Sequence, residues 1–292
     1  MDRPAACLIG GDGAMSIVGK GLGRAGATWI RSAIFLAAMT ASPAETLAAQ
    51  YTFAVEPAYP AEQTQAIYKP LLSYLSKATG EQFTLVTSKN YHFYWRDIRA
   101  GSSSDFAYDE AHLADYRISH SQYVPLVKAP ENSGYSLVAN PDVAAKGLSA
   151  LVGHRVATMA APSLGYAVLL SFYPDPLRQP EIQSSAASWK DAIESVFGEE
   201  ADAAIVPNWL KVQYPNLTVM KTSREFPGAT VMAAASVPAD VRQKVKDALL
   251  KLHEDPALYD VLNQLGISKF VAADAAEFHG TEQMLKEFYG YQ

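Results

Sequence analysis

YHFYWRDIRAGSSSDFAYDEAHLADY (91–116) is the stretch that decides the fold. Aromatic and aliphatic residues open it at helical spacing, from Tyr91 to Ala100, and Gly101 stops that helix. A short apolar run, DFAY (105–108), then reads as a buried strand, and a second helix starts from Asp109. Helix, strand and helix in close succession imply an α/β layer. In such layers the chemistry gathers where strands hand over to helices. Those corners carry Tyr91, His92, Tyr94, Tyr108 and Asp109.

The pattern extends on both sides. Upstream, YTFAV (51–55) is a strand and the two prolines of 56–60 enforce a loop. Ile67, Leu71, Leu72 and Leu75 mark a helix over 62–79 that Gly80 caps, and FTLVT (83–87) is the next strand. Downstream, YVPLV (123–127) and YSLVA (135–139) are strands of a different direction in the sheet, and the strand–helix–strand order predicts a parallel layer. A second unit begins near 140. It contains the strand RVATM (155–159), a helix over 164–172, a proline-broken stretch, a helix over 189–196, and strands ADAAIV (201–206) and LTVMK (217–221). Pro227-Gly228 marks a crossing back, and from Pro238 the pattern reads helical to the end, with Gly266 closing a helix over 256–265. The expected architecture is a two-lobed α/β fold with discontinuous lobes: 50–134 plus 230–292, and 135–229 between them.

The 292 residues are 49% hydrophobic and 18% charged, enough to bury a core. A formal net charge of −6 speaks against a nucleic-acid partner, which needs a basic surface. Residues 1–49 read as a signal peptide: Lys20, Arg24 and Arg31 are followed by the apolar SAIFLAAM (32–39) and small residues around Ala48 and Ala49. That apolar run is too short to span a bilayer, so export to the periplasm is expected. The single cysteine, Cys7, falls in this leader, which removes disulfides, a thiol nucleophile and Cys-ligated metals from the mature chain. No Ser–His–Asp context, phosphate-cradling loop or dinucleotide fingerprint is present, so no catalytic residue and no cofactor are expected.

Ser163, Leu164, Gly165 and Tyr166 open the 164–172 helix, where backbone N–H groups can meet a ligand. Ser163 serves equally as an ordinary N-cap. Asn208 and Trp209 follow a buried strand directly, and aromatic walls of this kind suit a flat, apolar or cationic solute. Trp95 is assigned to the core. Asp109 and His112, three apart, admit a metal site with His92 as a third ligand. Asp109 and Glu110 equally complement a helix dipole.

The chain resembles the periplasmic phosphate/phosphite/phosphonate-binding proteins of ABC transporters. The resemblance rests on YKPLLSYLSKATG (68–80), KNYHFYWRDIRAGSSSDFAY (89–108), ALVGHRVATMAAPSLGY (150–166) and LLKLHEDPALYDVLNQLGISKFVAAD (249–274), taken in order. It implies capture of a small molecule or ion between two lobes, as a monomer, for an inner-membrane ABC permease. The same scaffold serves sensory or accessory proteins that signal to a membrane kinase or redox system, and a periplasmic metal-binding protein is a further alternative. The family's Ser-Thr-Ser-Gly anion run corresponds here to Pro162-Ser163-Leu164-Gly165, which lacks two hydroxyls and one N–H. Ser188-Trp189 stands where the family has a cleft His, and Asn208-Trp209 where it has an acidic group, while Tyr91 is retained. The ligand is therefore expected not to be a simple phosphonate.

Overall fold

A computed structural model describes residues 48–101 and 104–291. The expected leader, up to residue 47, lies outside the described residues, and Cys7 with it. No helix among the described residues is long and apolar enough to cross a membrane.

The described strands form two sheets. The first holds β1 (Gln50–Val55), β2 (Gln82–Val86), β3 (Phe106–Asp109), β4 (Tyr123–Lys128), β10 (Thr230–Ala234) and β11 (Val271–Ala272), in the order β11-β4-β10-β3-β1-β2. The second holds β5 (Tyr135–Ala139), β6 (Arg155–Met159), β7 (Glu181–Ala186), β8 (Ala203–Pro207) and β9 (Thr218–Thr222), in the order β7-β6-β8-β5-β9. The helices are α1 (Ala61–Thr79), α2 (Tyr91–Arg99), α3 (Ala111–Ser121), α4 (Pro141–Ala144), α5 (Leu164–Phe172), α6 (Trp189–Phe197), α7 (Asn208–Lys211), α8 (Ala239–Lys251) and α9 (Tyr259–Leu265).

Local chemistry accounts for the elements around the later site. Gly80 ends α1 at φ 81°, a left-handed backbone that glycine adopts without a Cβ penalty. Asn90 caps α2 by accepting the Phe93 N–H at 3.1 Å. Every residue of β3 is buried, because it lies between β1 and β10 with helices over both faces.

Three expectations need correcting. The layers are mixed, not parallel: β1 runs parallel to β2 and β3, but β10 is antiparallel to β3 and β4, and β5 is antiparallel to β8 and β9. Strands 123–128 and 135–139 belong to different sheets, because the chain crosses over between them. The C-terminal part is not helical throughout. After α9 come β11 and short 3-10 turns at Ala275–Glu277 and Thr281–Leu285, since Gly266 and Gly280 take positive φ and break the helical run.

The two crossings lie side by side. Ser133 and Phe226 exchange backbone hydrogen bonds at 2.8 Å each, and the Ala129 N–H donates to Ala229 O at 2.9 Å. A Cβ on Gly228 would stand 2.5 Å from Ala129 O and 2.6 Å from Glu131 O, so only glycine lets the crossing strands approach this closely. Two further contacts join elements bearing different sheets. His112 of α3 donates from Nε2 to Pro162 O at 2.8 Å, and Tyr166 of α5 packs on Phe288, ring centroids 5.7 Å apart.

Candidate functional site

Between the sheets, beside the crossings, lies a cavity of about 190 Å³. Its volume suits a small solute of roughly amino-acid size. From the first sheet it is lined by Glu56, Tyr59, Tyr68, Tyr91, Tyr108, Asp109 and Glu110, and from the second by Tyr135, Trp189, Asn208 and Trp209. Residues 129 and 131–134 of one crossing, Ala229 of the other, and Leu265–Ile267 complete it. Every charged side chain in this lining is a carboxylate, and among the described residues no Lys, Arg or His lines the cavity.

Glu56 follows β1 directly and is only 6% exposed. Its Oε2 accepts from the Tyr91 hydroxyl at 2.8 Å, and its Oε1 accepts the backbone N–H of Glu110. Glu110 opens α3. Its Oε1 accepts from the Tyr135 hydroxyl at 2.7 Å, a bond that reaches across from the second sheet. Its Oε2 is shut off from solvent and has no hydrogen-bond partner among the described residues. Burial raises the pKa of both carboxyls. For Glu56 the charges of Glu110 and Asp109 add to burial. Glu110 rises to about 7, burial outweighing the Tyr135 hydrogen bond that pulls it down. The tyrosines are held neutral in turn, Tyr59 pushed up to about 12 by burial and by the Glu110 charge. The hydroxyls of Tyr91 and Tyr135 donate to the two glutamates, while that of Tyr59 donates to Gln264 O at 2.6 Å.

Asp109 lines the cavity, yet both of its oxygens are engaged elsewhere. Oδ1 accepts from the Tyr94 hydroxyl, and Oδ2 accepts from Arg117 Nε at 2.7 Å. Arg117 also donates to the Tyr94 hydroxyl at 3.2 Å, which closes a buried triad behind the wall. Asn208 is fixed by the Ser136 hydroxyl on its Oδ1 at 2.6 Å and by its own N–H on Gly134 O at 2.8 Å. Trp209 stands at the rim, 38% exposed, and a Cβ on Gly266 would come within 3.0 Å of its indole.

Of the residues singled out in the sequence, the structure brings Tyr91, Tyr108, Asp109, Asn208 and Trp209 to one cavity. The others lie apart from its lining. His92 is exposed on the outer face of α2, and Tyr94 is buried beneath it on Asp109 and Arg117. Ser163 is fully buried and caps α5 by accepting the Tyr166 N–H at 3.3 Å, the ordinary structural role. Leu164 is core, and Tyr166 is half-buried on Phe288. Ser188 caps α6 through the Asp191 N–H at 3.1 Å and borders a separate depression. Gly165 lies directly behind the wall: a Cβ there would stand 2.5 Å from the Trp189 ring and 2.9 Å from Tyr135.

The triad Asp109, His112 and His92 does not assemble. Asp109 is held by Arg117, His112 is buried against Pro162, and His92 faces outward. Among the described residues no group of three His, Cys, Asp or Glu side chains could hold a metal ion. Burial lowers the His112 pKa to about 4, so the ring is neutral and Nε2 carries the proton it donates.

Sequence reading missed Glu56, Tyr59, Tyr68 and Tyr135, met Trp189 only through the resemblance, where it stands with Ser188 at the place of a cleft His, and saw Glu110 only as a dipole charge. Glu56 had a signal, since it immediately follows the strand 51–55. Tyr135 had none, because it enters at the start of an antiparallel strand and not at the end of a parallel one.

Two layered lobes hinged on paired crossings around a solute-sized cleft define a solute-binding protein. A family profile described as ABC transporter, phosphonate, periplasmic substrate-binding protein matches residues 53–278, and the chain belongs to that family. No curated protein matches the chain by sequence. Among solved structures, PhnD1 from Prochlorococcus marinus in complex with methylphosphonate superposes with a TM-score of 0.67 at 13% identity, over 81% of this chain and 97% of that one. A binding component of an ABC phosphonate transporter from Pseudomonas aeruginosa gives 0.66 at 18%, over 81% and 85%. A Xanthomonas citri protein bound to ATP gives 0.61 at 15%, over 81% and 96%. At these identities the likeness is one of fold.

Proposed function

We propose that the chain captures a small solute in the periplasm, between a lobe of residues 50–134 plus 230–292 and a lobe of residues 135–229, and presents it to an inner-membrane ABC permease. We infer further that the solute is not a simple phosphonate. The observation that carries this reading is the lining of the cleft: carboxylates and aromatic rings, without a basic side chain among the described residues. A phosphonate dianion entering there would lose its hydration and find no basic side chain in the described lining to replace it. The helix start that holds the anion in the resembling family has its one remaining hydroxyl, Ser163, turned to its own backbone and fully buried.

Closure on a hinge accounts for the rest. The paired crossings supply the pivot, and the Tyr135–Glu110 bond supplies a contact that a closed cleft shelters. A thermal-shift screen across oxyanions, phosphonates, amines, amino acids and sugars tests the reading. At least one solute should raise the melting temperature, and methylphosphonate should not. A screen without any stabiliser, joined to the absence of a co-purifying solute, would refute capture; stabilisation by methylphosphonate would refute the exclusion of phosphonate.

A further inference from the structure

We propose that the captured solute is an organic cation bearing an N–H group, a primary ammonium or a guanidinium, seated on Glu110 and walled by aromatic rings. This rests on the capture reading above and assigns the chemistry of its ligand.

Three observations converge. Three of the four carboxylate oxygens of Glu56 and Glu110 already accept a protein hydrogen bond, from Tyr91, from the Glu110 backbone and from Tyr135. The fourth, Glu110 Oε2, is sequestered and unmet. A buried carboxylate oxygen without a donor asks for one, and the strongest donors are charged N–H groups. The rings of Tyr59, Tyr91, Trp189 and Trp209 also border the cavity. Their faces carry negative quadrupole density, which attracts a cation and gives an anion nothing. No fixed positive charge in the described lining competes for the carboxylates, since Arg117 is spent on Asp109.

The same geometry makes binding release a proton. Glu110 is faced by Glu56 and Tyr59 from the loop after β1, by Tyr108 and Asp109 from β3, by Tyr91 from α2 and by Tyr135 from β5. None of these supplies positive charge. Without a cation, burial holds the Glu110 proton to about pH 7. An incoming ammonium or guanidinium stabilises the carboxylate, the proton leaves to solvent, and the Glu110 side chain turns toward the cavity so that Oε2 accepts an N–H from the cation.

The test is titration of the full mature chain with butylammonium, butylguanidinium, 1-butanol and methylphosphonate, followed by tryptophan fluorescence and melting temperature. Trp189 and Trp209 are the reporters. The two cations should bind and change the fluorescence, while 1-butanol and methylphosphonate should not. Their affinity should be at least about tenfold higher near pH 8 than near pH 5.5, because the carboxylate must be ionised. Calorimetry near pH 6.5, in buffers of different ionisation enthalpy, should show proton release in the wild type. Glu110→Gln, which keeps the shape and removes the charge, should abolish that release and weaken the cations at least about tenfold. The wild-type pH titration stands even if the variant folds poorly. Binding of 1-butanol or methylphosphonate in place of the cations would overturn the charge assignment and leave solute capture intact. Cation binding that is flat in pH would overturn the role of Glu110. Absence of cation binding would overturn the proposal, whereas capture fails only with the broad screen described above.

Discussion

Glu110 illustrates how one residue carries opposite demands. It opens α3, where the positive end of the helix dipole favours a carboxylate, yet its Oε2 is shut off from water and it stands beside Glu56. Its folded-state pKa is raised to about 7, above the ordinary value of 4.5. The folded chain therefore holds this proton over a pH window in which the unfolded chain has released it. Stability of the ligand-free protein should fall as pH rises from about 4.5 to about 7, by about 1–3 kcal/mol from this group. His112 acts in the other direction. With its pKa lowered to about 4 by burial, it costs stability as pH falls below about 6.5. Melting temperatures measured across pH on wild type and Glu110→Gln separate the first effect from that of Glu56, whose pKa burial also raises: the variant should show a shallower decline toward neutral pH, and an unchanged slope would exclude Glu110 as a source. Behind the wall, Arg117 and Asp109 form a pair exposed only 4% and 0% at their side chains. Arg117→Ala leaves a buried carboxylate with Tyr94 alone, and urea unfolding should show a loss of about 3–5 kcal/mol.

At the scale of elements, the cleft is built by strand-to-helix corners whose side chains are set from behind. Gly165, inside α5, is the clearest case. Its missing Cβ makes room for the rings of Trp189 and Tyr135, which form the second-sheet wall. Gly165→Ala forces those rings to move and should cost about 1–3 kcal/mol, with altered near-ultraviolet circular dichroism from Trp189. A variant with wild-type spectra would show that the wall yields without strain. This indirect role explains what the chain reveals as text. Helical periodicity and the glycine stops made α1 and α2 readable, and the run of buried β3 placed Tyr108 and Asp109 at a corner. Strand polarity was not readable, because a buried strand such as β10 has the same composition in either direction. That one ambiguity hid Tyr135. Glu56 read only as part of a loop and Glu110 only as a dipole charge, because their partners Tyr91 and Tyr135 lie 35 and 25 residues away in sequence.

At the scale of the whole molecule, the net charge of −6 says little, since the polarity of one cavity decides the ligand. The family scaffold persists over residues 53–278, while the described lining of the cavity holds carboxylates and aromatic rings and no basic side chain. The two crossings are tied side by side through Ser133, Phe226, Ala129 and Ala229, which is where the proposed closure would pivot. The contacts of His112 with Pro162 and of Tyr166 with Phe288 also join elements that carry different sheets. The most direct measurement is native mass spectrometry of the exported protein, with the solute released by unfolding and identified in both ion modes. The account predicts a small nitrogenous cation of roughly amino-acid size, lost when Glu110 is replaced by Gln. Release of a phosphonate or another anion from the wild-type cleft would contradict it.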